Sequence, residues 1–157
     1  MNPIISRYIA SEDTLLDILT SEPASPVQEA LIGLLAFIKG QRADKVPFLI
    51  AHDIPTDELD SNLLILFIGI WAKASILKKN SIQASGLLER AKSEITLKTP
   101  RELTALIQTV EAGLTGETGN RANQEKLLRE AFSFMPVHSP RRNDVLLELA
   151  FFLAQSG

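Results

Sequence analysis

The residues best equipped for chemistry in this 157-residue chain are its two histidines. His52 stands beside Asp53, and Asp57 and Glu58 follow closely. An imidazole among carboxylates is raw material for a metal site or an acid–base pair. The spacing matches no helical two-His ligand motif, however. A His at the end of a short helix is also favoured by the helix dipole alone. His138 directly precedes Ser139 and reads as a loop residue. The chain has no Cys, which excludes a thiol nucleophile, a disulfide framework and a Cys-ligated metal. These observations lead us to expect no metal, no cofactor and no catalytic residue.

Phosphate chemistry fares no better. Gly113-Leu-Thr-Gly116-Glu-Thr-Gly119 is glycine-rich but lacks the Gly-Lys-Ser/Thr ending and a preceding strand. It reads as a turn between helices. The net charge is −3, so the basic excess typical of a nucleic-acid binder is missing. Lys98, Arg101, Arg141 and Arg142 form one basic grouping, expected along a single edge, where it could face solvent or an acidic partner segment. The most apolar stretch, Leu63–Ala72, is half the length a membrane span needs. It predicts a helix buried on nearly all sides, with Trp71 as core. The N-terminus has no basic lead and no long apolar run, so no secretory signal is expected. A reducing, cytoplasmic setting is the expectation.

The elements that must position these residues are helices. Leu, Ile and Ala dominate and aromatics make up only 6%, which favours helix-on-helix packing. Helix starts are written plainly. Ser25-Pro26-Val27-Gln28 and Thr99-Pro100-Arg101-Glu102 have the form of capping boxes with Pro in the first turn. Thr56, Asn80, Asn120 and Ser139 mark other starts, and Gly40 and Gly119 mark stops. Helices are predicted over 3–20 with a break at Ser11, and over 26–39, 44–53, 57–78, 81–96, 100–115, 121–135 and 140–154. The fold class is therefore all-α, a single domain of about seven or eight helices spanning 1–157. It divides into an N-terminal segment 1–24, helix pairs 25–55, 56–98 and 99–138, and a terminal helix 139–157.

The pairs repeat. Lys98-Thr-Pro-Arg101 and His138-Ser-Pro-Arg141 are near copies 40 residues apart. At that offset residues 63–102 and 103–142 share ten identities, among them Leu63/Leu103, Ala72/Ala112, Asn80/Asn120 and Ala91/Ala131. Average composition would give roughly three. A period near 40 is the signature of stacked helix pairs.

The small residues fall at Ala72, Ala84 and Ala91 with Leu88, then at Ala112 and Ala131 with Leu128 and Pro136. This pattern resembles a degenerate tetratricopeptide repeat over about residues 60–140. The period is longer than the family's and its Trp-Leu-Gly-Tyr sequence is absent. The resemblance implies a short solenoid that binds protein or peptide, as adaptors, secretion chaperones and assembly factors do. In that family the first helices of each pair line a concave face. The resemblance thus implies a partner-binding surface made by Lys73, Ile76 and Leu77 with Gln108 and Glu111.

The last helix is apolar on more than one side, from Val145 to Leu153 with only Glu148 polar. Phe151 and Phe152 are candidates for a second contact face. A homodimer or partner contact there competes with fold-back of the N-terminal segment. Three functions follow: a protein- or peptide-binding scaffold, a homo-oligomeric structural or regulatory domain using that helix, and, with the weakest support, an enzymatic or ligand-binding bundle built on His52 and Asp53.

Overall fold

The computed structural model describes residues 1–40 and 45–156. Among them there is no strand and there are nine α-helices: α1 (Pro3–Ala10), α2 (Leu15–Ser21), α3 (Pro26–Ile38), α4 (Val46–Asp53), α5 (Ser61–Leu77), α6 (Ser81–Glu94), α7 (Arg101–Glu117), α8 (Arg121–Phe134) and α9 (Arg142–Ser156). The first predicted helix does break at Ser11, and Thr14 caps its second half by accepting from Asp17 N–H. The expected start of α4 at residue 44 lies outside the described residues. The start expected at Asp57 belongs instead to a separate 3-10 turn, Thr56–Glu58. The long helix begins at Ser61, where the Asp60 carboxylate caps Leu63 N–H.

The capping boxes form only in part. Ser25 accepts from Gln28 N–H, but the Gln28 side chain is buried and donates to Leu19 O instead of reaching back. Thr99 does not cap α7, since its hydroxyl accepts from Thr96 N–H. Glu102, three residues on, takes a 2.8 Å hydrogen bond from Ser139 Oγ. In both cases a long-range acceptor or donor outcompetes the local one.

Helices joined by short turns pack as antiparallel neighbours: α3 on α4, α5 on α6, α7 on α8, with α9 across α7 and α8. Gly33 of α3 brings the first pair close, because a Cβ there would sit 3.1 Å from Pro47. Helix α5 is the hub and touches α1, α3, α6 and α7. Its residues 63–72 are all buried, which explains a helix apolar all round.

The 40-residue equivalence holds in space for the crossing alanines. Ala72, Ala112, Ala91 and Ala131 are all 0% exposed. It extends to the turns. Lys79 (φ 65°) and Gly119 (φ 83°) both end their helices in the left-handed region. After them Asn80 N–H bonds Ser75 O, and Asn120 N–H bonds Thr115 O. These are matching Schellman closures. Lys79 bears the Cβ strain that Gly119 avoids. Lys79→Gly is therefore expected to raise stability by about 0.5–1 kcal/mol in urea denaturation. The Lys79–Glu117 ion pair that would be lost is exposed and contributes little.

The last helix departs from the register. It starts at Arg142, not at 140. Leu103, Ile107 and Val110 of α7 pack back on the core around α5, and Val145, Leu149 and Phe152 of α9 pack back on α7 and α8. These positions correspond at an offset of 42, a slip of two residues from the sequence repeat.

Candidate functional site

The first helices of two pairs, α5 and α7, and the terminal helix α9 enclose a groove of about 360 Å³. That volume lies within the range of ligand pockets. Helix α5 contributes Lys73, Ile76 and Leu77. Helix α7 contributes Leu106, Val110 and Gly113, a stripe at helical spacing. Helix α9 closes the far side with Glu148, Phe151 and Phe152. The N-terminal half of α8 supplies Arg121, Gln124 and Leu128.

The floor is apolar and the rim carries charge. Lys73 Nζ lies 3.6 Å from Glu148 across the groove, with both groups partly exposed. Lys79 holds Glu117 at 3.0 Å on the rim. The Arg121 guanidinium sits 4.8 Å over the Phe152 ring. Gly113 leaves room in the middle, since a Cβ there would meet only Ile76 Cδ1, at an ordinary 3.9 Å.

Five of the seven sequence-expected contact residues thus line one groove. Gln108 and Glu111 do not. At 3.6 residues per turn Gln108 lies about 160° round the helix from Leu106 and Val110, and Glu111 about 100–140° from them. Glu111 accepts a 2.6 Å bond from Lys92 of α6. Gln108 faces a shallow depression with Arg129 and Phe134. Gln108 and Glu111 lie on another face of α7 from the groove residues, because position along a solenoid register does not specify rotation about the helix axis. Phe152 is also corrected in part. It is 5% exposed and packs with Ala112, Leu128 and Leu149, so it is core as well as groove floor. Fold-back of the N-terminal segment over α9 does not cover Phe151, which is 63% exposed.

The expected basic edge is dispersed. Arg101 sits over Phe134 and Arg142 over Phe132. Arg141 turns inward and is 6% exposed. Its Nε donates to Tyr8 O at 2.6 Å, and its Nη2 donates to Ser11 O at 2.6 Å and to Asp13 O. Nη1 reaches Asp144 at 3.3 Å, and the guanidinium lies 4.8 Å over the Tyr8 ring. Burial, with Asp144 nearby, pushes the Tyr8 phenol above its usual range. A hydrogen bond from Arg7 and one from Ser11 hold the exposed Asp13 carboxyl below its own. Arg141 is a clasp between the two ends of the described chain. Sequence reading missed it, and no local signal marks it.

His52 Nε2 lies 3.1 Å from Gln83 Nε2, and the ring meets Trp71 edge-on at 5.0 Å. Asp57 pairs with Arg90. Among the described residues no group of three His, Asp or Glu gathers as a metal site, and no helix is long and apolar enough to cross a membrane.

A scan against protein-family models gave no match, and searches of curated proteins and of solved structures gave none either.

Proposed function

We propose that the chain is a protein-binding helical scaffold whose groove between α5, α7 and α9 receives an apolar segment of a partner polypeptide. The observation that carries this is the groove itself, apolar at Ile76, Val110 and Phe151 and edged by Lys73, Glu148 and Arg121. An apolar floor with a charged rim suits the helix-in-groove mode, in which a few apolar anchors give affinity and rim charges set register. The lining helices are also those that the tetratricopeptide resemblance assigns to the binding face. Adaptor, secretion-chaperone and assembly-factor roles all use such a surface, and none requires catalysis. The absence of Cys accords with a cytoplasmic setting.

Gly113 provides the test. A Leu there would fill the groove without a Cβ clash. Replacing a mid-helix Gly should also leave stability unchanged or raised by up to about 1 kcal/mol. Selection from a displayed peptide library should enrich sequences with apolar residues three or four apart on the wild type. Those peptides should fail to bind Gly113→Leu. Equal binding by the variant, or no enrichment at all, would reject the groove as the site.

A further inference from the structure

Helix α9 has two apolar faces, and its own chain covers one. Val145, Leu149 and Phe152 are buried against α7 and α8. On the opposite side Leu147 is 68% exposed and Phe151 63%, with Leu146, Ala150 and Ala154 beside them. The structural register identifies this side. At the offset of 42, Leu147, Phe151 and Ala154 correspond to Ala105, Thr109 and Ala112 of α7, whose two alanines are fully buried where α8 and α9 pack. The outward face of α9 is therefore the face that in α7 carries an antiparallel helix. Among the described residues no helix lies on it.

We propose that a second copy of this chain occupies it, with the two α9 helices antiparallel about a two-fold axis near Ala150 and Phe151. The inference does not rest on the groove reading, although Phe151 borders both surfaces. Side-chain size is the first argument. At the chain's own crossings both helices bring Ala, whereas α9 brings Leu147 and Phe151. Small residues opposite them would let the two helices approach as closely as the chain's own pairs do. Antiparallel self-pairing supplies them, with Leu147 facing the copy's Ala154 and Phe151 facing its Ala150. An isologous contact must be self-complementary in this way.

Charge is the second argument. The seam itself is uncharged, and the acids Asp144 and Glu148 sit in the N-terminal half of α9. Antiparallel pairing lays that half against the copy's acid-free C-terminal half and opposes the helix dipoles favourably. Area is the third. The outward apolar side chains expose on the order of 400 Å², within the range of the largest apolar patch on an ordinary monomer, which is often functional. A standard dimer needs about 800 Å² per copy. A two-fold axis perpendicular to both helices keeps the two grooves on the same side of the seam.

Sedimentation velocity from low to high micromolar concentration tests the proposal. The wild type should move to twice its 17.3 kDa mass as concentration rises. Leu147→Glu should weaken dimerisation by about two orders of magnitude, with an unchanged helical spectrum. Ile82→Glu, at an 89% exposed site on α6, should leave the dimer intact. Because the chain has no Cys, single cysteines report geometry cleanly. Ala150→Cys should crosslink to its copy through a short bismaleimide. Asn143→Cys should not, being about 22 Å from its copy. A wild type that stays monomeric, a dimer that survives Leu147→Glu, or equal crosslinking at 143 would overturn the proposal.

Discussion

Replacing Arg141 with Met should lower unfolding stability by about 2–4 kcal/mol, a drop of roughly 6–15 °C in melting temperature for a chain of this size. Met keeps much of the aliphatic volume and removes the guanidinium. The carbonyls of Tyr8, Ser11 and Asp13 then lose their donor, and at least the first is in a buried setting. Hydrogen bonds to a charged group are worth more than neutral ones, and stranded acceptors add to the loss. The position matters as much as the energy. Helical stacks are held by nearest-neighbour contacts, so their ends fray first. Arg141 ties the α1–α2 turn to the start of α9 and so couples the two ends. Hydrogen exchange should show α9 amides losing protection well before those of α5 in Arg141→Met. Uniform loss across all helices would mean that the clasp adds stability without coupling the ends.

Phe67→Ala should cost more, about 3–5 kcal/mol in urea denaturation. Phe67 is 0% exposed and stacks on Trp71 with ring centroids 5.5 Å apart. Its removal leaves a cavity in the one helix that touches α1, α3, α6 and α7. Such a hub cannot collapse around the void without shifting several interfaces at once. Because all of them share α5, the transition should stay single and cooperative, in contrast to Arg141→Met. A cost below about 1.5 kcal/mol would show that the layers repack freely around this site.

The sequence alone determined most of the helices and their pairing. Asn80 and Asn120 cap as their side chains predict, by accepting from the N–H groups of Gln83 and Asn123. The apolar run 63–72 is the buried hub, and the four repeat alanines lie at crossings. These features are local or periodic, so residue type and spacing suffice to express them. Only the tertiary structure decided the rest. Glu102 does not reach back to complete its capping box because it accepts from Ser139 instead. Helix α9 slipped by two residues and rotated Phe152 into the core, leaving Leu147 and Phe151 outside. Gln108 and Glu111 turned from the groove because the packing of α7 against its neighbours sets its rotation. Arg141 follows a Ser-Pro pair much as Arg101 follows Thr-Pro, yet one is buried and the other exposed. The difference is made by carbonyls about 130 positions away in the chain. A short-range pattern cannot encode which backbone oxygens will lie within reach once the ends of the stack meet.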